Sequence, residues 1–255
     1  MSEKNFQLSR RSLIGGLAST GGLLLSGCAE DPPTYGNILR MGDNLSYRAH
    51  RALLSPAQLV REYDRSQITS MPAIGCVDPR REDGFSYTAE QGEAYAAILH
   101  DDFSDYRLEI AGSVDRPVKF SLADLKRMPR RTQITKHMCE EGWSAIAEWT
   151  GVPLRTVLKA AAIRPTARFV EFHSFDGWID SVDMVDALHP QTILAYGMNG
   201  SALPMGHGAP LRVRVERQLG YKSIKFLKRI VVTDKFVDPG LAGPIKGGWA
   251  WYVGI

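Results

Sequence analysis

Lys136-His137-Met138-Cys139-Glu140-Glu141-Gly142-Trp143-Ser144 is the stretch on which the reading of this chain turns. It closes an alternating run, 132–138, that predicts a strand, and it sets a cysteine between that strand and a Gly-Trp pair. A cysteine with no sequence neighbour to pair with is either a small buried hydrophobe or a thiolate with a chemical task. Lys136 and His137 favour the thiolate, whereas Glu140 and Glu141 oppose it. The residues alone leave both readings open.

The chain around this stretch has 255 residues, 44% hydrophobic and 23% charged, enough for one medium-sized domain with a sizeable core. Net charge is 31 minus 28, or +3, and the first 27 residues supply Lys4, Arg10 and Arg11 against Glu3, so the remainder is near +1. That balance gives no electrostatic case for nucleic acid. Cysteines 28, 76 and 139 form no CxxC, CxxCH or paired finger spacing, which excludes zinc ribbons and covalent c-type haem in this chain.

From Thr34 to Ile255 there is no repeat, charge block or long Gly/Ser linker. Ser55-Pro56, followed by Ala57, Leu59, Val60 and Tyr63, predicts a short helix with a proline at its first position. Ser121-Leu-Ala-Asp124 has capping-box spacing, and Val152-Pro153-Leu154 opens a third helical run. Strands are predicted at 108–111, 132–138, 169–173, 193–196, 211–215 and 230–233, with a tight turn at Asn199-Gly200. Many short strands without regular strand-helix alternation predict an α+β fold of mixed sheets with short helices. No GxGxxG or GxxxxGK[ST] is present, so dinucleotide and P-loop readings have no support.

Four blocks then carry a resemblance: His137-Met-Cys139-Glu-Glu-Gly-Trp143-Ser, Ile193-Leu-Ala-Tyr-Gly-Met-Asn-Gly200, His207-Gly-Ala-Pro-Leu-Arg212 and Lys222-Ser-Ile-Lys225-Phe-Leu-Lys-Arg-Ile-Val-Val232. In this order, over most of 44–255, they resemble the molybdopterin-binding domain of the sulfite oxidase family, especially its bacterial periplasmic methionine sulfoxide reductases. The resemblance implies the sulfite oxidase molybdopterin-binding fold and one molybdenum-molybdopterin per chain, with Cys139 as catalytic residue and metal ligand. Soft thiolate suits such a metal. It further implies cofactor contacts at Asn44, Tyr47, Arg48, His50, Ser174, His207, Arg212, Ser223, Ile224 and Lys225, with Arg212 and Lys225 as the cations for the pterin phosphate. Histidine at 207 matches the sulfite oxidases, whereas the sulfoxide reductases have asparagine. His100, His173 and His189 are expected to be structural, Trp249, Trp251 and Tyr252 to pack, and Cys76 to be a buried apolar residue.

Ser9-Arg10-Arg11-Ser-Leu-Ile before a glycine-rich apolar run resembles a twin-arginine export signal, and Leu25-Ser26-Gly27-Cys28 resembles a lipobox with Cys28 acylated. The run from Leu13 to Leu25 has 13 residues, short of the roughly 20 that span a bilayer. The expected organisation is a signal peptide at 1–27, a tether at 28–43 and the oxidoreductase domain at 44–255, anchored to a bacterial membrane in the periplasm only through lipid. Animal sulfite oxidases add haem and dimerisation domains for which this length has no space. Electrons are therefore expected to pass through a separate b-type or c-type cytochrome. Sulfite oxidases also carry a metal-facing tyrosine in an Asp-Tyr-Lys segment, where this chain reads Gly240-Leu-Ala-Gly-Pro-Ile-Lys-Gly-Gly-Trp249. Outside the cofactor set, only Arg80, Arg81 and Lys246 offer cations for sulfite. The expected reaction is oxygen-atom transfer on small S- or N-oxides such as methionine sulfoxide; the alternatives are a sulfite dehydrogenase and a non-catalytic lipoprotein that keeps the fold as a binding module.

Overall fold

The alternation at 132–138 forms a strand with an unusual inward face: Gln133, Thr135 and His137 are buried while Ile134 is half-buried and Met138 is exposed. The computed structural model describes residues 35–81, 88–237, 243 and 249–255. Its helices and strands run α1 (Tyr35–Leu53), α2 (Ala89–His100), β1 (Arg107–Gly112), β2 (Val118–Ser121), α3 (Leu122–Arg127), β3 (Arg131–Met138), β4 (Ser144–Pro153), α4 (Leu154–Ala160), β5 (Phe169–Ser174), β6 (Ile179–Asp183), α5 (Met184–Ala187), β7 (Ile193–Met198), β8 (Ser201–Ala202), β9 (Arg212–Arg214) and β10 (Leu227–Thr233).

The strands make two sheets. One has the order β2-β1-β10-β5-β6, mixed because β1 and β10 are parallel and the remaining pairs antiparallel. The other, antiparallel, has the order β3-β4-β7-β8, with β9 also paired to β7. One apolar core joins them: Leu108, Ile110, Val170, Phe172, Ile230 and Val232 from the first sheet, Val152, Leu194 and Val213 from the second, and Tyr95, Leu125, Val157 and Leu158 from helices. Burying a side chain of this kind contributes roughly 1.5–3 kcal/mol, and this shared core fixes the sheet ends on which the polar residues sit.

All six predicted strand runs are strands, and Asn199-Gly200 is the turn between β7 and β8. Ser121 caps α3 with the predicted box to Asp124. The helix predicted from Ser55 does not form. Instead Ser55 makes a turn, and the chain then runs extended because long-range partners take its backbone: Gln191 bonds both Val60 N–H and Val60 C=O at 2.8 and 3.1 Å, and Tyr63 N–H donates to Ile134 C=O at 2.9 Å. Those bonds replace what a helix would offer.

The boundary expected at 43/44 falls inside α1. From Asp43 onward the described chain forms one compact unit. In that part of α1 the inward residues are polar: Arg51 forks onto Asp183 at 3.0 and 2.7 Å and reaches Asp186 at 2.8 Å. No described helix is long and apolar enough to cross a membrane. Residues 1–34, with Arg10, Arg11 and Cys28, and Lys246 lie outside the described residues.

Candidate functional site

Cys139 continues the inward line of β3 by one more step of two. It opens the five-residue β3–β4 loop, where its N–H donates to Trp143 C=O at 2.9 Å and its C=O accepts from Gly142 N–H at 3.1 Å. Gly142 has φ +89°, a conformation in which a side chain is strained, so glycine lets the loop turn back this sharply. The thiol thereby lines a cavity of about 270 Å³, near the lower end of sites that take cofactor-sized ligands.

Cys139 is 5% exposed. Burial is the main cause that pushes it up to about 11; the Glu141 N–H, donating at 3.5 Å, pulls the other way, and the Glu140 and Glu141 carboxylates add to the rise. The Sγ–H itself donates to Glu140 at 3.6 Å. At neutral pH the cofactor-free protein thus holds a protonated thiol, and a thiol in this state can act as a soft thiolate ligand only where a metal displaces its proton.

Across the cavity lie His207, Arg212, Ser223, Ile224 and Lys225, so the structure brings these five predicted residues together with Cys139. Arg212, on β9, is buried. Its two terminal nitrogens donate to His207 C=O at 3.0 Å and Ser223 C=O at 2.7 Å, its Nε has no partner among the described residues, and its Cζ lies 5.0 Å from the Trp149 ring centroid. Lys225 Nζ donates to the carbonyls of Ile74 (2.8 Å), Gly206 (3.1 Å) and Cys76. The expected phosphate fork is therefore present as charge, with most of its donors engaged by main-chain oxygens.

These cations and burial keep the neighbouring histidines neutral. Burial first, then Arg212 and Lys225, lower His207 to about 4; burial, then Arg214, Arg212 and His207, lower His137 to about 2. Asp176 also lines the cavity, and its carboxyl is raised by burial against the opposing pull of hydrogen bonds from Ser174 and Trp178 and the charge of Lys225. Ser174 is not itself in the lining; its hydroxyl donates to Asp176, which is, and to Trp178 C=O.

Asn44, Tyr47, Arg48 and His50 are not brought to this cavity. They sit on α1, where Asn44 accepts from the Trp251 indole at 3.2 Å, Tyr47 packs on Trp251 and Tyr252, His50 bonds the Tyr252 hydroxyl at 3.2 Å and Arg48 is exposed. Of the candidate sulfite-binding cations, Arg80 is spent on Asp78. Conversely the sequence reading missed Met71, Pro72, Ile74, Gly75 and Cys76, which form one wall and have no motif. Cys76, given no role, and Trp249, expected to pack, both line the cavity; Trp249 stands 5.7 Å from Trp178 and 5.1 Å from Tyr221, forming an aromatic flank. Trp251 and Tyr252 pack as expected, and His189 is structural, bonding Gln58 C=O and Gln191 N–H.

A buried thiol, a buried arginine with an orphaned N–H, a second cation and a neutral imidazole on one cavity fit a soft metal carried by an anionic organic cofactor. This is the class of a molybdopterin enzyme. The sequence family described as the oxidoreductase molybdopterin binding domain matches residues 95–239. The chain is 33% identical over 231 residues, 89% of its length and 82% of the other's, to a putative protein-methionine-sulfoxide reductase subunit YedZ1 of Azospira oryzae. It is 30% identical over 249 residues, 91% of its length and 71% of the other's, to the protein-methionine-sulfoxide reductase catalytic subunit MsrP of Gluconobacter oxydans. A solved structure, the sulfane dehydrogenase SoxCD of Paracoccus pantotrophus, aligns at 26% identity and TM-score 0.49, covering 60% of this chain and 41% of that one. The chain belongs to the molybdopterin-binding oxidoreductases of the sulfite oxidase family, with their α+β fold, and is a molybdenum-dependent oxidoreductase.

Proposed function

We propose that the protein reduces small S- or N-oxides, methionine sulfoxide among them, with one molybdopterin per chain and Cys139 on the metal. The bound molybdenum centre supplies the two-electron oxygen-atom transfer, in which an oxide, two protons and two electrons become the reduced compound and water. The observation that carries the direction is the pair of carboxylates that line the cavity by the thiol, Glu140 accepting from Sγ and Glu141 accepting from the Trp143 indole while its charge acts on the thiol, with Arg212 and Lys225 donating to main-chain carbonyls. A sulfite dianion brought there loses hydration, which costs several kcal/mol per charge, and meets two carboxylates; a neutral oxide faces neither penalty. The aromatic flank of Trp178, Tyr221 and Trp249 suits an S-methyl group.

Steady-state assays on the purified holoenzyme, with a reduced dye plus methionine sulfoxide and with ferricyanide plus sulfite, test this. Sulfoxide turnover is expected to be the faster by at least about tenfold, the equivalent of one unfavourable charge contact. Faster sulfite turnover overturns it and establishes the second reading, a sulfite dehydrogenase, which His207 favours. Molybdenum near one atom per chain supports the enzyme over a binding module.

The same proposal includes export folded through the twin-arginine route, acylation at Cys28 in the periplasm, a signal peptide at 1–27, a tether at 28–43 and electron supply from a separate b-type or c-type cytochrome. Its support is the sequence of 9–28, and the description of relatives as catalytic subunits. Replacing Arg10 and Arg11 by lysine is expected to leave cofactor-loaded precursor in the cytoplasm, and Cys28→Ala to release soluble periplasmic protein, both read by cell fractionation. Normal processing of the lysine variant refutes the route.

A further inference from the structure

His137 stands two residues before Cys139 on the same inward face of β3, and it lines the same cavity. Its Nδ1 lies 2.7 Å from a terminal nitrogen of Arg214. A guanidinium only donates, so Nδ1 is the acceptor and the ring proton must sit on Nε2. Arg214 cannot turn away: it forks onto Glu216 at 3.1 and 2.8 Å, lies over the Trp149 ring at 4.5 Å, and is 1% exposed. Glu216 in turn accepts from Gln133, two further steps back along the inward line of β3, at 3.0 Å. The chain Gln133–Glu216–Arg214 thus holds one imidazole in one tautomer.

The far edge of the ring is shaped with equal care. A Cβ on Gly220 would lie 2.6 Å from His137 Cε1 and Nε2, so only glycine at 220 lets the ring occupy this place. Nε2–H has no hydrogen-bond partner among the described residues, and both the ring that carries it and Gly220 beside it line the cavity. Successive inward residues of a strand are about 6.5–7 Å apart, which puts the N–H within reach of whatever Cys139 ligates.

Resting on the reading of Cys139 as metal ligand, we propose that His137 is a fixed Nε2–H donor to an electron-rich acceptor in the metal's ligand sphere, either a dithiolene sulfur of the cofactor or the oxygen being transferred. A donor on such an acceptor draws electron density from the metal and stabilises its reduced state. On the substrate's oxygen, the same donor polarises the bond to be broken.

Two measurements test this. In the cofactor-free protein, 15N NMR of the imidazoles is expected to give His137 as the Nε2–H tautomer with Nδ1 accepting from Arg214; an Nδ1–H ring overturns the proposal whatever Cys139 does. In the holoenzyme, the molybdenum midpoint potential followed by electron paramagnetic resonance, and KM for methionine sulfoxide, are compared in wild type, His137→Leu and His137→Gln. If sulfur is the acceptor, the leucine variant has a lower potential without substrate present; if oxygen is, the potential holds and KM rises about tenfold, the worth of one hydrogen bond. The glutamine amide, able to donate from a similar position, is expected to recover most of either change. A leucine variant unchanged in both quantities, or a glutamine variant no better than leucine, refutes the assignment. Should the leucine variant not fold, the tautomer measurement on wild type still decides. Cys139→Ser, assayed for its molybdenum signal alone, tests the ligand reading separately.

Discussion

Cys139→Ser is expected to retain the pterin and to lose turnover by more than about 100-fold, since loss of an outer hydrogen-bond partner already costs 10–100-fold at metal sites and this change alters a ligand. The two halves of the prediction have separate physical causes. In the proposed site the organic cofactor would answer to charge and N–H donors on Arg212, Lys225 and the 223–225 turn, which line the cavity away from the substitution in sequence and on other elements. The metal answers to its donor atom. A serine oxygen is harder, less polarisable and far less acidic than the thiol it replaces, so it gives a weaker bond and moves the metal's potential. Structure is conserved in the variant because the hydroxyl fits where Sγ sits and inherits the Glu140 acceptor and the Glu141 N–H. Pterin content by fluorescence after oxidation, molybdenum by mass spectrometry and reduced-dye turnover are the three readouts. Wild-type turnover in the serine variant would remove Cys139 from the metal.

Much of the scaffold was legible, and the reasons for the misses are specific. Period-two alternation located β3, yet a rule that turns apolar residues inward picks Ile134 and Met138, the wrong face; the inward face is Gln133, Thr135, His137 and Cys139 because that line feeds a polar site. Helix α2 carried a readable signal, the Thr88-x-x-Gln91 capping box, which the structure forms in full. Helix α1 did not: from Asp43 on, its inward residues include Asp43, Tyr47, His50 and Arg51, anchored by Asp183 and Asp186 some 130 positions later, and no local pattern announces such pairing.

The site divides the same way. Cys139, His207, Arg212 and the 223–225 turn lie in contiguous motif blocks and meet in the cavity. The members of the short motif at 44–50 lie outside the cavity lining: Asn44, Tyr47 and His50 contact the C-terminal aromatics, and Arg48 is exposed. The wall at 71–76 has no motif because its place is set by a distant ammonium, Lys225, binding the carbonyls of Ile74 and Cys76, and carbonyls are the same in every sequence.

Arg212→Met should separate cofactor binding from stability. Among the described residues Arg212 is a buried cation without a carboxylate partner of its own: Glu216, whose charge acts on it, is forked by Arg214, and burial and the charge of Arg214 both lower its proton affinity. Holding such a charge dry costs several kcal/mol, and its return is two hydrogen bonds to carbonyls and the stack on Trp149. Methionine keeps most of the stem and the stack, loses the charge, and leaves two carbonyls short by about 1–3 kcal/mol each. These changes oppose one another, so unfolding of the cofactor-free variant in denaturant is expected within about 2 kcal/mol of wild type. Cofactor binding has no such compensation. An anionic pterin loses a charge-assisted partner worth about 1.5–3 kcal/mol, so affinity should fall by up to about 100-fold and the purified variant should carry little pterin or molybdenum. Lysine at 212, which restores charge without the planar fork, is expected to recover only part of the binding. A methionine variant that loads cofactor like wild type would show that the charge at 212 serves the fold alone, and the phosphate would then have to be sought at Lys225 and the main chain of 223–225.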